Sequence, residues 1–398
     1  MKNKLFKSLF FLSSLTSFSL ITTLAASCNE QQNSEKQKEN ETKDNNTSDK
    51  EIVNEKTTTS DTSSNNLNGE ITDNNTESEN SENSSTPVTE KNDENSSSEI
   101  SSSGKYLYDK SNNYYASLEG KRGDDLWQAL VNLQNSKKSQ IKTYGDLYDI
   151  FSQVDLDKEY ENDGTILDIY SENPTGTDPY NFTIHNYEGK ANGLGNGQPV
   201  AGKNSNDEGY IFNREHLIPQ SWFKRDPITR ADPHFILPTD KLVNNKRGNL
   251  PHYIVENATW TSENGTKVNN DYAEPVDAFK GNVARMYFYF QVTHHNALQK
   301  ANNGQIPGAV VFKDSYPYFT DNFLSTYQQW AKNDPVELFE IKRNNGIASY
   351  YETTESERVA KGQGMRNPFI DYPNLPDLIW GQGNETFHNL GILVDIKK

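Results

Sequence analysis

The sequence of 398 residues has one cysteine and three methionines, and it has no aromatic residue between Asn29 and Ser103. A single cysteine excludes an intramolecular disulfide. The aromatic-free stretch holds 18 acidic residues against 6 basic ones, set among Ser, Thr, Asn and Gln. A segment with so little apolar side chain to bury cannot offset its ordering entropy, so we predict that it is disordered. Because most of the net charge of −17 lies there, the acidity says little about what the rest of the chain binds.

The first residues are typical of a targeting segment. Lys2, Lys4 and Lys7 precede the apolar run "LFFLSSLTSFSLITTLAAS", which is followed directly by Cys28. A basic start, a short apolar region and small residues at its end predict a secretory signal peptide over residues 1–27. The ending "LAASC" resembles a bacterial lipobox, and the lone cysteine falls where lipidation needs it. We therefore predict a lipid anchor on Cys28; the alternative is an ordinary secreted protein with a chance cysteine.

Composition divides the chain into three parts. After the signal peptide, residues 28–103 are predicted to be a disordered acidic tether that holds the remainder away from a membrane. Aromatic residues begin at Tyr106 and continue to the end. Residues 104–398 are therefore predicted to form the folded domain.

The domain shows helix and strand patterns without a regular βαβ rhythm, which predicts an α+β fold. "DDLWQALVNLQN" has helical spacing, with Asp124 or Asp125 as the cap. "TYGDLYDIFSQV" predicts a second helix, and "TILDIYS" predicts a short strand. "HFILPTDKLVNNKRGN" predicts a strand that ends at Leu237 and a helix that starts at Pro238 and carries Asn244. "EPVDAFKGNVARMYFYFQVTHH" predicts an apolar helix, and "STYQQWAKNDPVELFEIKRNNGIASYYE" predicts two more.

Several enzyme classes lack their motifs here. The sequence has no HExxH zinc pattern, no Walker glycine loop and no GxSxG elbow. The run "GLGNGQ" superficially matches a nucleotide-binding loop, but its spacing is wrong and no strand leads into it. Metalloproteases, P-loop enzymes and serine hydrolases therefore have no support.

The segment "FNREHLIPQSWF" places Glu215 directly before His216. In a strand these two side chains would point to opposite faces, so a bulge or a strand end is needed to bring both to one site. A second polar cluster follows within about thirty residues and comprises Asp232, His234, Asn244, Asn245, Lys246, Arg247 and Asn249. The two clusters together predict a site rather than a structural histidine.

The residue types in these clusters suit phosphate chemistry at a metal ion. Glu215 and Asn244 offer two oxygen ligands, which is how proteins usually hold Mg²⁺ beside phosphates, and an asparagine ligand argues against zinc. A histidine such as His216 can take a proton from water at neutral pH. Arg247 can bind a phosphate through two hydrogen bonds.

Five motifs follow one another along the chain: "NREHLIPQSWF", "RADPHFILPTDKLVNNKRGN", "GNVARMYFYF", "WAKNDPVELFEIKRNNGI" and "RNPFIDYPNLPDLIWG". In this order they resemble the successive motifs of the bacterial endonuclease I family. The resemblance covers roughly Leu118 to Gly381. It implies a secreted or periplasmic nuclease with a ββα-metal finger inside a mixed helical domain. It also implies cleavage that leaves 5′-phosphate ends.

The resemblance assigns roles residue by residue. His216 matches the general base, and Glu215 and Asn244 match the two protein ligands of a single Mg²⁺, with Mn²⁺ or Ca²⁺ as alternatives. Arg247 and Asn249 belong to the closing motif of the finger's helix. The product-stabilising arginine has no clear counterpart, and Arg225 and Arg230 are the candidates. Here His234 is followed by Phe235, where the family commonly has a polar residue.

Other residues have a functional and a structural interpretation. Arg214 is predicted to contact substrate, but it could equally be an ordinary strand residue. His294 and His295 end an apolar helix, where they favour the helix dipole. We predict a basic strip that grips the nucleic-acid backbone, formed by Lys224, Arg225, Arg230, Lys246 and Arg247.

The sequence therefore predicts a metal-dependent, sequence-nonspecific endonuclease that hydrolyses DNA, with RNA left open as a substrate, at the outer face of a bacterial cell membrane. No protein partner is implied. A non-catalytic surface lipoprotein on a nuclease fold, and a phosphoesterase acting on smaller substrates, are the alternatives.

Overall fold

The computed structural model describes residues 100–298, 308–354, 359–360 and 362–397. The predicted signal peptide, Cys28 and nearly all of the tether lie outside these residues. In the part of the chain that is described, no helix combines the length and the apolar character needed to cross a membrane.

Helices dominate the described domain. They are α1 Gly123–Lys137, α2 Leu147–Val154, α3 Lys241–Arg247, α4 Lys280–His294, α5 Asp321–Asn333, α6 Leu338–Thr354, α7 Pro368–Asp371 and α8 Leu375–Trp380. The long helices fall where the sequence predicts them. α1 begins at Gly123 without a side-chain cap, so Asp124 and Asp125 lie in its first turn instead, where carboxylates favour the helix dipole.

Helix α4 forms the centre of the core. Fourteen consecutive residues, Gly281 to His294, are buried. A helix that is buried all round must be surrounded by other elements, and α4 packs against α1, α5 and α7. Its aromatic residues contact those of the neighbouring helices, as in Phe288, whose ring centroid lies 5.1 Å from that of Trp380.

The sheets are small and antiparallel. The strands are β1 Ile100–Ser103, β2 Tyr106–Asp109, β3 Lys190–Ala191, β4 Gly195–Asn196, β5 Phe212–His216, β6 Ile236–Asp240, β7 Trp260–Thr261, β8 Lys267–Val268, β9 Ala273–Glu274 and β10 Ile392–Ile396. They form sheets in the orders β1-β2-β10, β3-β4, β5-β6 and β7-β8-β9. Strand β1 lies within the stretch predicted to be disordered, so the last four residues of that stretch belong to a sheet.

Two local predictions are wrong. Thr165–Ser171, predicted as a strand, makes only one isolated bridge, between Ile166 and Leu156. The carboxylate of Asp168 accepts the backbone N–H of Tyr170 and folds the segment into a turn.

Pro238, predicted to start a helix, lies inside strand β6, opposite Arg214. The helix starts three residues later because Asp240 caps it, accepting the N–H of Val243 at 2.9 Å.

Strands β5 and β6 and helix α3 form a ββα unit. β5 and β6 pair antiparallel without a register shift, and α3 follows β6 directly. This unit, set among helices, confirms the predicted α+β fold class. It also carries Glu215 and His216 and, on α3, the second-cluster residues Asn244, Asn245, Lys246 and Arg247.

Candidate active site

The end of strand β5 brings Glu215 and His216 to one pocket. The β5–β6 register is continuous up to His216, which is the last residue of the strand. The strand end, and not a bulge, therefore lets both side chains reach the pocket, although the residues themselves are only 1% and 4% exposed. The pocket has a volume of about 310 Å³, and Asn244 of α3 also lines it.

One ring nitrogen of His216 is held and the other is free. Nε2 lies 3.1 Å from the carbonyl oxygen of Arg230, which can only accept a hydrogen bond, so Nε2 carries the proton. Nδ1 has no hydrogen-bond partner among the residues that the structure describes. Burial, together with the smaller effect of the Arg214 and Arg230 charges, lowers the pKa of His216 to about 3, although the hydrogen bond to the Arg230 carbonyl opposes this shift. The imidazole is therefore neutral near pH 7, with a lone pair on Nδ1.

The carboxylate of Glu215 is fixed through one of its two oxygens. Oε1 accepts hydrogen bonds from the Tyr170 hydroxyl at 2.8 Å and from Arg247 Nη1 at 3.0 Å. Burial raises the pKa of Glu215, while the charge of Arg247 and the bond from Tyr170 oppose that rise. Both of these hydrogen bonds end on Oε1, so Oε2 is the oxygen that is left for a ligand in the pocket.

A chain of hydrogen bonds orients the amide of Asn244. Asn213 Nδ2 donates to the carboxylate of Glu188 at 3.2 Å, and a carboxylate can only accept. Asn213 therefore turns its Oδ1 toward Asn244, whose Nδ2 donates to it at 2.7 Å. The Oδ1 of Asn244 is the atom that remains for a ligand.

These two oxygen atoms fit a hard divalent cation. Glu215 and Asn244 both line the pocket, and each keeps one oxygen outside the hydrogen bonds that orient it. Mg²⁺ binds proteins through one or two such oxygens and keeps several waters for the rest of its shell. A sulfur or imidazole set, as zinc prefers, is not formed by these residues.

Arg247 is directed into the protein rather than into the pocket space. It is 1% exposed. Besides Glu215, its guanidinium donates to the carbonyl oxygens of His216 at 2.7 Å, of Leu250 at 2.8 Å and of Leu217. Because these acceptors occupy the guanidinium, the geometry favours a positioning role for Arg247 over the predicted phosphate contact.

Two arginines stack on one tyrosine beside His216. The guanidinium carbons of Arg214 and Arg230 lie 3.7 and 3.9 Å from the ring centroid of Tyr144. Two groups so close to one centroid must lie on opposite faces of the ring. Arg214 also lies 4.4 Å from the Tyr148 ring and donates to the carbonyl oxygen of Tyr144 at 3.0 Å. The stack concentrates positive charge next to the pocket, which suits a phosphate.

Arg225 and Asn249 are exposed and line the pocket. Lys224 and Arg225 have φ values of +49° and +55°, a region that favours glycine. Two consecutive residues in this conformation hold the turn that presents Arg225. Arg230 does not itself line the pocket, but it contacts the pocket residues His216 and Tyr144. Lys224 and Lys246 of the predicted basic strip do not line the pocket either.

The comparison with known proteins decides the family. The endonuclease I family profile matches residues 123–374, which include the whole ββα unit and its pocket. The chain belongs to the endonuclease I family. It is accordingly a hydrolase that cleaves phosphodiester bonds of nucleic acids, which confirms the predicted enzyme class.

Two relatives of this endonuclease I protein carry the name extracellular ribonuclease. The protein from Bacillus subtilis (strain 168) is 28% identical over 283 residues, which are 69% of this chain and 80% of the relative. The protein from Bacillus amyloliquefaciens is 32% identical over 179 residues, which are 42% of this chain and 54% of the relative.

Part of the second predicted cluster lies elsewhere in this nuclease. The carboxylate of Asp232 accepts hydrogen bonds from Tyr289 at 2.6 Å and from His294 Nε2 at 2.7 Å. His234 Nε2 is 3.0 Å from the carbonyl oxygen of Met365. His294 is therefore paired with a carboxylate, and the predicted interaction with the helix dipole does not explain its position.

Sequence reasoning missed Tyr144, Tyr148, Tyr170 and Glu188. The two tyrosines of "TYGDLYDIF" are four residues apart, a spacing that places them on one helix face. This spacing beside a predicted helix was an available signal. Tyr170 and Glu188 had none, because loops far from β5 in sequence bring them to the site.

Proposed function

We propose that this protein is a metal-dependent, sequence-nonspecific endonuclease with His216 as its general base. The observation that supports this most is the free Nδ1 of a neutral, buried imidazole in the same pocket as Glu215 and Asn244. A general base needs a lone pair that faces its substrate, and the carbonyl of Arg230 fixes that tautomer.

In the proposed reaction, Nδ1 of His216 takes a proton from a water molecule. The water oxygen then attacks the phosphorus in line with the 3′-oxygen, the bond from phosphorus to that oxygen breaks, and the product ends in 5′-phosphate. The leaving 3′-oxygen takes a proton from a solvent water, and the proton on Nδ1 returns to solvent. A positioned base of this kind contributes about 10²- to 10⁴-fold to the rate.

Glu215 and Asn244 would hold the metal ion, with Mg²⁺ as the first candidate and Mn²⁺ or Ca²⁺ as alternatives. When bound, such an ion supplies a positive charge that stabilises the phosphate oxygens and the leaving 3′-oxygen. Tyr170 and Arg247 orient Glu215 for this role, and Asn213 orients Asn244.

Arg214, Arg225, Arg230 and Asn249 are proposed to bind the sugar-phosphate backbone. They lie in or beside the pocket, and the stack on Tyr144 restricts two of the arginines before substrate arrives. Contacts to phosphate fix the register of a nucleic acid but carry no sequence information, which explains nonspecific cleavage.

We propose both DNA and RNA as substrates. The relatives are named ribonucleases. A reaction in which His216 activates water does not use the 2′-hydroxyl of RNA, so the same residues serve either nucleic acid.

We further propose that the protein acts outside the cell, as the relatives' names say of them. A lipid on Cys28 would anchor it, and the acidic stretch after it would act as a tether. If Cys28→Ala still gives a processed protein that partitions fully into detergent, the lipid anchor is wrong.

The proposal is tested by incubating the purified protein with closed circular DNA, linear DNA and RNA, with and without EDTA. We expect nicking of closed circles and degradation of both nucleic acids, and loss of both in EDTA. Activity that needs free ends excludes endonuclease action, and full activity in EDTA excludes metal dependence. An enzyme active only on small phosphodiesters would favour the phosphoesterase alternative.

A further inference from the structure

A second group of acidic side chains lies outside the catalytic pocket, on the segment that follows α2. One carboxylate oxygen each from Asp157, Glu161 and Glu172 lies within 4.8 Å of the others. Asp157 and Glu172 are buried, each 1% exposed, and Glu161 is exposed. None of the three lines the catalytic pocket.

Glu172 is the residue that calls for a ligand. Its Oε1 is buried and, in the described chain, has no hydrogen-bond partner. An unpaired buried carboxylate oxygen is costly, and natural proteins seldom keep one without a ligand. Burial, followed by the charges of Asp178, Glu161 and Asp157, raises the pKa of Glu172 to about 9. These neighbours are all acids, so they add to the cost instead of offsetting it.

The rest of the cluster is held in place by the backbone. Asp157 accepts the N–H groups of Glu159, Tyr160 and Asn162 at 2.8–3.1 Å, which folds the loop around its carboxylate. Asp178 accepts the N–H of Asn173 at 2.7 Å. Several carboxylates are thus fixed near one another although their charges repel.

The spacing and chemistry fit calcium. Ca²⁺ binds six to eight oxygens at about 2.3–2.6 Å, so two ligands on opposite sides of the ion are about 5 Å apart. The three oxygen atoms fall within that span. Ca²⁺ tolerates irregular coordination geometry and binds several carboxylates readily, whereas Mg²⁺ demands a near-octahedral shell and keeps its waters.

We propose that Asp157, Glu161 and Glu172, with Asp178 beside them, form a calcium site distinct from the catalytic pocket. The ion would join Asp157, near the start of the loop after α2, to Glu172, fifteen residues further along that loop. This inference goes beyond the proposed function, since it does not depend on which residues perform the chemistry.

The segment closed by this site supports both proposed metal ligands of the catalytic pocket, Glu215 and Asn244. Tyr170, two residues before Glu172, donates its hydroxyl hydrogen bond to Glu215. Asp168 accepts the backbone N–H of Asp240, the residue that caps α3, at 2.8 Å. Calcium would therefore order a loop that positions Glu215 directly and the helix of Asn244 through its cap.

The test is thermal unfolding of the full chain in EDTA and across a calcium titration, for the unchanged protein and for Glu172→Gln. Without calcium at neutral pH, Glu172→Gln should melt close to the temperature of the unchanged protein, because the raised pKa of Glu172 keeps its carboxyl group protonated and uncharged. With calcium the unchanged protein should melt at the higher temperature. Calcium should raise the melting temperature of the unchanged protein by on the order of a few degrees. The variant should need at least about tenfold more calcium for the same rise in melting temperature.

Three control measurements test whether calcium binds specifically at the proposed site. Glu215→Gln should keep the calcium-dependent shift, because its carboxylate belongs to the other site. Glu256→Gln removes an exposed carboxylate elsewhere and should behave like the unchanged protein. Magnesium at equal concentration should give the smaller shift. These measurements do not depend on nuclease activity, so they can succeed or fail separately from the proposed function.

The inference is overturned if calcium raises the melting temperature of Glu172→Gln as much as that of the unchanged protein at every calcium concentration. It is equally overturned if Glu215→Gln abolishes the whole shift, which would place calcium in the catalytic pocket. Equal Glu172-dependent shifts with magnesium would overturn the choice of calcium.

Discussion

Two buried polar clusters in this protein contain the same residue types but have different roles. The cluster around Asp232 pairs its carboxylate with Tyr289 and His294, and the second nitrogen of His294 lies 3.2 Å from the Thr229 hydroxyl. The cluster around Glu215 and His216 leaves Nδ1 without a partner and opens onto a pocket. Both clusters are buried, so burial does not distinguish them.

The difference shows which feature marks a reactive site in this fold. His234 also has one nitrogen without a described partner, but it does not line the pocket. A free lone pair alone is therefore insufficient. The combination of a free acceptor atom and an open pocket with oriented oxygens separates His216 from the other buried histidines.

The largest expected effect comes from replacing one histidine of each cluster. His216→Ala should lower the rate of plasmid nicking per folded molecule by about 10²- to 10⁴-fold, because it removes the proton acceptor. It should also cost about 1–3 kcal/mol of unfolding free energy, because it leaves the carbonyl oxygen of Arg230 without its buried hydrogen-bond donor. His294→Ala should cost about 1–3 kcal/mol of unfolding free energy, because it leaves Asp232 short of a buried partner. Its rate per folded molecule should stay close to normal. Equal rate losses in both variants would erase the distinction between the clusters.

Asparagines offer the next comparison. Asn244→Ala should raise the metal concentration for half-maximal nicking by roughly 10- to 100-fold, since it removes one of two proposed ligands. Asn344 exchanges hydrogen bonds with the backbone of Asn367 at 2.8 and 3.2 Å, away from the pocket. Asn344→Ala should lower the melting temperature and leave the metal requirement unchanged. A metal titration of both variants checks this, and an unchanged requirement in Asn244→Ala would remove it from the ligand set.

Two tyrosines, Tyr170 and Tyr289, each donate a hydrogen bond to a buried carboxylate, and replacing them tests what those bonds contribute. Tyr170→Phe removes one hydrogen bond to Glu215, worth about 0.5–1.5 kcal/mol, so nicking should slow by about 2- to 10-fold at limiting metal. Tyr289→Phe removes a bond to Asp232 and should affect stability only. Rates per folded protein, measured with denaturant unfolding in parallel, separate the two. A slower rate in Tyr289→Phe alone would contradict the account.

The smallest effect is expected from the tether. Deleting residues 29–99 should leave melting temperature and nicking rate in solution unchanged, because these residues have too little apolar side chain to contribute to a core. Extending the deletion through Ser103 removes strand β1, which pairs with Tyr106–Asp109, and should lower the melting temperature. Loss of most activity on the shorter deletion would show that the tether belongs to the catalytic fold.

The adjacency of Glu215 and His216, and the following cluster with Asn244, could be predicted from the sequence because they lie on consecutive elements of one ββα unit. Helix α1 could be predicted from its apolar spacing, and α4 from its length and largely apolar composition. The strand predicted over Thr165–Ser171 failed because a side chain, Asp168, redirected the backbone.

The role of Arg247 could not be predicted from its type. Its guanidinium donates to the carbonyl oxygens of His216, Leu217 and Leu250. A residue type suited to binding phosphate therefore holds Glu215 in place instead. The stack of Arg214 and Arg230 on Tyr144 likewise depends on contacts between residues up to 86 positions apart in the sequence. Such contacts leave no local pattern.

Rescue of His216→Gly by imidazole tests the central claim most directly. The pocket, of about 310 Å³, has room for the missing ring. Nicking of supercoiled plasmid should fall by about 10²- to 10⁴-fold in His216→Gly and recover in part when imidazole is added, because the added ring supplies the lost lone pair. The same addition should not rescue Asn244→Ala. Full nicking by His216→Gly without imidazole would contradict the assignment of His216 as the proton acceptor.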